Sequence, residues 1–112
     1  MSDNPSEPIV VLMTAAKREE ADHIAEMLVS TNLAACVQLL PEMQSIYRWQ
    51  GEIMREMEVL LLAKTTKDQF DVLVSRVTAI HSYDTPEIIA LPITAAAEPY
   101  LKWLLGSLSE GS

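Results

Sequence analysis

Residues 45–64 read SIYRWQGEIMREMEVLLLAK. Gln50-Gly51 divides this stretch into two extended runs, and a glycine at such a junction is typical of a β-hairpin. The second run contains residues 59–63, which are apolar at successive rather than alternate positions. A strand of this kind points apolar side chains to both faces of its sheet. The stretch therefore predicts an antiparallel pair whose second strand is covered on both sides.

Upstream of the hairpin, the sequence predicts a strand, a helix and the start of the hairpin's first strand. Residues 9–13 form a continuous β-branched and apolar run, which is typical of a buried strand. Residues 17–31 repeat apolar positions at helical spacing, with acidic residues in the first turn. Residues 34–40 extend the hairpin's first strand, and Pro41 after them indicates a bulge, a break or an edge position.

Downstream, the pattern predicts a helix, a fourth strand and a short terminal helix. Thr66 and Gln69 have the spacing of a capping box, and the apolar stripe that follows continues to about His81. Residues 87–93 are again apolar and β-branched, and Glu98-Pro99 opens the terminal helix, with Gly106 just past its end. The order is that of an α+β, ferredoxin-like βαββαβ fold with a short C-terminal helix, in which both long helices lie on one face of the sheet.

The face without long helices has no cover of its own. Residues 59–63 and 88–91 both place apolar groups there as well as in the core. A short terminal helix cannot cover this area alone, and a large exposed apolar patch marks an interface. The sequence therefore predicts self-association, without fixing its symmetry.

The length and the net charge of the chain limit its number of domains and its possible partners. The 112 residues fit a single domain, 1–112, with a core at about 9–105 and flexible tails at 1–8 and 107–112. A net charge of −8 disfavours nucleic acid as a partner, because no basic surface is available. We expect no membrane segment and no signal peptide. The single cysteine, Cys36, fits a reducing compartment, so we expect a cytoplasmic protein.

The sequence motifs also argue against an enzyme. No nucleotide-binding or hydrolase motif is present, and three glycines leave little material for a phosphate loop, so we expect neither catalysis nor an organic cofactor. Cys36 and His81 offer the residue types of a nucleophilic pair. The apolar neighbours of Cys36 favour a buried structural cysteine instead.

His81 is the most suggestive single residue. It follows the second helix and precedes a tyrosine, an aspartate and a glutamate within six residues. Both a metal ligand and a histidine that contacts the last helical carbonyls fit this position. Paired ligands at short spacing are absent, so a metal site would need separate elements or separate subunits. Tyr47, Trp49 and Trp103 suit an interface and a core equally well.

At these residues the sequence closely resembles the CutA family over about residues 9–105. The segments that carry the resemblance, in order, are LAACV (33–37), SIYRWQG (45–51), EVLLLAK (58–64), HSYDTPEIIALPI (81–93) and YLKWL (100–104).

The resemblance implies a homotrimer similar in architecture to the PII signalling proteins, with clefts between subunits and a role in tolerance to divalent cations, copper especially. The family's cleft positions carry over as Cys36, Tyr47, Trp49, Lys64, His81, Tyr83, Pro86, Glu87 and Trp103. Among these, His81, Glu87 and Cys36 are the candidate ligands for a copper or zinc ion. The alternative is a trimeric scaffold or signalling module for a protein partner, with metal tolerance an indirect effect.

Two departures from the family pattern lie near these positions. The chain has His81-Ser82-Tyr83-Asp84 where the family commonly has His-Pro-Tyr-Glu, which shortens a carboxylate. Residues 95–97 are alanines, followed by Glu98-Pro99, where a glycine-containing turn is usual, which changes the rim of the expected cleft.

Overall fold

Four strands and three helices follow one another in the order that the sequence predicts. The computed structural model describes residues 6–109. Its elements are β1 (Pro8–Ala15), α1 (Arg18–Ser30), β2 (Cys36–Trp49), β3 (Glu52–Thr66), a 3-10 turn (Lys67–Gln69), α2 (Phe70–Ile80), β4 (Ile88–Pro92) and α3 (Glu98–Ser109). Within residues 6–109, no helix is long and apolar enough to cross a membrane.

The strands form one antiparallel sheet in the order β2-β3-β1-β4. Strand β1 pairs with residues 59–66 of β3, so residues 52–58 pair with β2 alone within the described part of the chain. The register of β2 shifts between Leu40 and Met43, next to Pro41, so the predicted irregularity is confirmed. Beyond this bulge, Met43–Trp49 of β2 and 52–58 of β3 project from the sheet as a two-stranded ribbon, which we call the arm.

The core lies between the sheet and helices α1 and α2. Alternate residues of β1 and β3, such as Met13 and Leu61, are fully buried on this face. They meet the apolar stripes of the two helices, including Leu28 of α1 and Leu73 of α2. Each buried side chain of this size contributes about 1.5–3 kcal/mol, so one helix layer and one sheet face supply most of the folding energy.

The opposite sheet face is incompletely covered. Leu12 and Leu62 are half-buried there, whereas Leu40 and Leu91 expose 57% and 48% of their surface. Helix α3 contacts β3 and covers only part of this face. The excess of apolar sheet predicted from the sequence is therefore present in the single chain.

Three sequence predictions need correction. Helix α3 runs to Ser109, because Leu108 continues its apolar stripe and outweighs the roughly 1 kcal/mol cost of Gly106. The terminal helix is thus longer than predicted, and Pro8 and residues 107–109 belong to elements rather than to tails. The rest of the predicted tails, 1–5 and 110–112, lies outside the described residues.

The capping box predicted at the start of the second helix is not formed, because the Thr66 hydroxyl bonds to Asp68.

Neighbouring residues of α1 test the position of the core. Leu28→Ala removes a fully buried side chain and should lower the free energy of unfolding by about 2–5 kcal/mol. Val29→Ala is the matched control, since Val29 is 43% exposed and should change it by less than about 1 kcal/mol. Urea unfolding followed by circular dichroism measures both. Equal losses would mean that α1 packs through a different face.

Candidate functional site

The loop after α2 is fixed by three consecutive residues that bind three different elements. His81 contacts β1, Ser82 contacts α1 and Tyr83 contacts β3. The side chains of these residues meet at the end of the sheet from which the arm projects. This loop contains four of the predicted cleft residues, His81, Tyr83, Pro86 and Glu87.

Both ring nitrogens of His81 are engaged. Nε2 lies 2.8 Å from the carbonyl oxygen of Thr14, and Nδ1 accepts the backbone N–H of Tyr83 at 3.0 Å. Because a carbonyl oxygen only accepts, we assign the ring proton to Nε2 and the lone pair to Nδ1. The His81 side chain is also completely buried. A metal ion can therefore reach this imidazole only if one of its two hydrogen bonds opens.

Ser82 anchors the loop to α1 through Glu20. The Ser82 N–H donates to Oε2 of Glu20 at 2.7 Å, and its hydroxyl donates to Oε1 at 3.0 Å. Burial raises the pKa of Glu20, but the hydrogen bonds from Ser82 outweigh it and hold the pKa below its usual 4.5. Oε2 also lies 3.7 Å from Nδ1 of His81. The charged carboxylate is thus the form that holds the loop.

Tyr83 joins the loop to the base of the arm. Its hydroxyl donates to Oε2 of Glu58 at 2.9 Å, and the Ser45 hydroxyl of β2 donates to Oε1 at 2.6 Å. Burial raises the pKa of Tyr83 well above its usual range, and the Glu58 carboxylate raises it further. Glu58 is only 9% exposed, and both of its oxygens have donors. The carboxylate therefore ties together the loop and both strands of the arm.

A second group of predicted residues lies around Cys36. Cys36 faces Lys64 across β2 and β3, and the Lys64 ammonium donates to the side chain of Gln38. Burial raises the pKa of Tyr100, and a hydrogen bond with the Cys36 thiol adds to this shift. The ring of Trp103 is 5.5 Å from that of Tyr100, centroid to centroid. Helix α3 thus places Tyr100 beside the cysteine, with Trp103 next to the tyrosine.

The two groups lie at opposite ends of the sheet. Val10 is the β1 partner of Lys64, whereas His81 bonds to Thr14 of the same strand. Four residues of strand separate these points by about 13 Å. Cys36 and His81 therefore form no nucleophilic pair within one chain. No group of three or more His, Cys, Asp or Glu side chains suited to a metal ion occurs within residues 6–109.

The remaining predicted residues lie on the arm and in the loop. Tyr47 and Trp49 occupy the arm, and Trp49 is 61% exposed, so neither belongs to the core of the single chain. Glu87 is exposed and Pro86 is half-buried. Sequence reasoning missed Glu20 and Glu58, which orient the loop. Their role depends on partners that are distant in sequence, and no local pattern indicates it.

The fold defines an α+β domain with one four-stranded antiparallel sheet, three helices and a projecting hairpin. The family model described as "CutA1 divalent ion tolerance protein" matches residues 9–107, and the chain belongs to this family.

Similar proteins come from bacteria and plants. The divalent-cation tolerance protein CutA of Thermus thermophilus is 52% identical over 95 residues, which cover 85% of this chain and 92% of that protein. The chloroplastic CutA protein of Arabidopsis thaliana is 42% identical over 99 residues, which are 88% of this chain. The match covers about half (54%) of that relative's length. The solved Thermus thermophilus Cut A1 structure superposes with a TM-score of 0.85 at 50% identity, over 87% of this chain and 94% of that one.

Removal of one hydroxyl tests the link between loop and arm. Tyr83→Phe leaves the charged Glu58 without one of its two donors, and we expect a loss of about 1–3 kcal/mol in unfolding free energy. Ser75→Ala, which removes an exposed hydroxyl from α2, is the control and should leave the midpoint almost unchanged. Chemical denaturation measures both, and equal losses would contradict the proposed link.

The Glu20 anchor predicts a specific pH dependence. A carboxyl whose folded-state pKa is depressed stabilises the fold above its unfolded pKa, and this contribution disappears as the pH falls through the folded pKa. Wild type should therefore be more stable than Glu20→Gln at pH 7, and the difference should shrink below the usual value of 4.5. Glu19→Gln, on the same exposed turn, is the control. A difference that persists or grows in acid would show that the charge of Glu20 is not what matters.

Proposed function

We propose that this chain works as a homotrimer in divalent-cation tolerance and that it binds a metal ion or a small ligand in clefts between its subunits. The observation that supports this proposal is the sheet face opposite α1 and α2. Exposed leucines on that face, including Leu40 and Leu91, need a cover that one chain does not contain. Tolerance to divalent cations is the role in the names of its relatives.

The arm supports the same assembly. A two-stranded ribbon is only marginally stable in water, and this one carries exposed Tyr47 and Trp49 on the face continuous with the uncovered sheet. Strands β2 and β4 also leave one backbone edge each without a sheet partner among residues 6–109. In the trimer that the family resemblance implies, the helix-free faces pack inward and the arms reach neighbouring subunits.

Such an assembly can join the two ends that one chain keeps apart. The Cys36 end of one subunit next to the His81 end of another would bring Cys36 and Glu87 within reach of a shared ion. Thiolate, carboxylate and imidazole are all ligands that copper and zinc accept. His81 would contribute to such a site by positioning the loop, or directly after one of its hydrogen bonds opens. We place the protein in the cytoplasm, where its free thiol stays reduced.

Light scattering after gel filtration tests the assembly. The expected mass is three times the 12.4 kDa of one chain, unchanged on dilution to low micromolar concentration. Leu91→Lys, which adds a charge to the exposed apolar face, should lower the mass. A folded monomer in the wild type would contradict the trimer.

Calorimetric titration with Cu²⁺ and Zn²⁺ tests the ligands. Cys36→Ser and Glu87→Gln should each weaken ion binding by at least about tenfold, since the loss of a residue that only orients a metal ligand already costs about 10- to 100-fold. Glu19→Gln, an exposed carboxylate on α1, should bind as the wild type does. Heats that are identical in all variants would remove these residues from the site.

The second candidate is a scaffold or signalling role for a protein partner. It is favoured by the absence of a three-ligand group within residues 6–109 and by the exposed aromatic side chains of α3, Tyr100 and Trp103. Affinity capture with and without a chelator separates the two functions. A scaffold keeps its partner after metal removal, whereas a metal-dependent module releases it.

A further inference from the structure

The two faces of the arm differ in charge. The β2–β3 register pairs Ile46 with Arg55 and Arg48 with Ile53, so these four side chains share one face. This is the helix side of the sheet, because the odd-numbered residues of β3 that point there continue into the buried core. The opposite face carries Glu52, Glu56 and Glu58. The arm is therefore cationic on one side and acidic on the other.

The cationic face is also apolar. On this face, Ile46, Ile53 and Met57 are each more than half exposed. Each arginine lies directly across from one isoleucine, so the two arginines are diagonal neighbours. Arg48 and Arg55 are exposed, and neither forms an ion pair with any residue in the range 6–109. In a chain with a net charge of −8, two adjacent unpaired arginines framed by aliphatic side chains form a local exception.

The surface at the base of this face is concave, and we call this concave part the step. Where the arm leaves the sheet, a cavity of about 400 Å³ lies between the start of α1 and the bulge of β2. Its lining includes Met57 from the arm face, Pro41 from the bulge and Arg18 from α1. Arg18 pairs with Asp22 at 3.3 Å, in a solvent-exposed contact that an incoming carboxylate can replace at little cost. Glu42 and Glu58 line the step as well, so it extends the apolar surface of the arm face but adds no net positive charge, and the acidic groups of a ligand would lie over Arg48 and Arg55 instead.

We propose that this face of the arm binds an acidic segment of a partner protein, one whose carboxylates alternate with apolar side chains. The carboxylates would pair with Arg48 and Arg55, since guanidinium groups bind carboxylates through two parallel hydrogen bonds. The apolar side chains would cover Ile46, Ile53 and Met57 and displace water from them. This step rests on the trimer proposed above, in which self-assembly uses the other, helix-free face and leaves this one accessible.

The composition of the face distinguishes a protein segment from other anions. Nucleic-acid sites stack bases on aromatic rings, but Tyr47 and Trp49 lie on the opposite face of the arm. A polyanion would also meet the repulsion of a chain charged at −8, which a short acidic segment limits to a few carboxylates. The exposed aliphatic groups contribute nothing to binding of a bare phosphate. A mixed acidic and apolar segment uses every group on this face.

A labelled peptide tests the proposal. The probe is a fluorescein-tagged peptide of alternating glutamate and leucine, about ten residues long so that it spans the arm at roughly 3.3 Å per residue. Fluorescence anisotropy at low salt should show saturable binding to the full chain, which weakens in about 1 M salt, where the Debye length is about 3 Å. The double variant Arg48→Glu/Arg55→Glu should bind at least about tenfold more weakly. The neutral double variant Arg48→Gln/Arg55→Gln should show an intermediate loss of peptide affinity. If the charge-reversed variant does not fold, the neutral variant serves as the test.

The controls separate this face from general charge effects. Arg76→Glu/Lys102→Glu changes the net charge equally on exposed positions of α2 and α3, and it should bind as the wild type does. Equal losses in the two pairs would overturn the proposal, as would equal binding of a lysine-for-glutamate peptide or of single-stranded DNA. Light scattering of Arg48→Gln/Arg55→Gln should match the wild type. A reduced mass would assign the face to contacts between copies and overturn the proposal as well.

Discussion

The structure depends on a mismatch between its sheet and its helices. Helices α1 and α2 cover one face of four strands, while β1, β3 and β4 carry apolar side chains on both faces. The core on the helix side is closed and accounts for the stability of the subunit. The other face retains half-exposed leucines that α3 covers only in part. In the proposed trimer, this uncovered face, the arm and the free strand edges all lie in contacts between chains.

The loop after α2 is as closely fixed as the core. Its histidine, serine and tyrosine bond to β1, α1 and β3, and Glu58 extends this network to Ser45 at the base of the arm. The direction of the arm relative to the body is therefore set by one buried carboxylate and its two hydroxyl donors. A ligand or partner that displaces the loop would also change the position of the arm through these contacts.

Much of this fold could be predicted from the sequence, and much less of the site. Successive apolar positions in 59–63 and 88–91 predict strands with two apolar faces, and Pro41 predicts the bulge, because these are local patterns. Gly106 predicts an end of α3 that is too early, because the packing of Leu108 outweighs this local signal. The separation of Cys36 from His81 depends on strand register, which sequence spacing does not reveal. Glu20 and Glu58 gain their roles from residues more than twenty positions away.

Amide hydrogen exchange in the arm tests the central claim most directly. If copies of the chain cover the helix-free face of the sheet and of the arm, the amides that pair β2 with β3 within residues 43–58 should exchange as slowly in the native protein as those of the central strand β1. A bare two-stranded ribbon opens easily and exchanges close to the unprotected rate. Rapid exchange throughout the arm, with β1 still protected, would show that the subunit stands alone and would contradict the account.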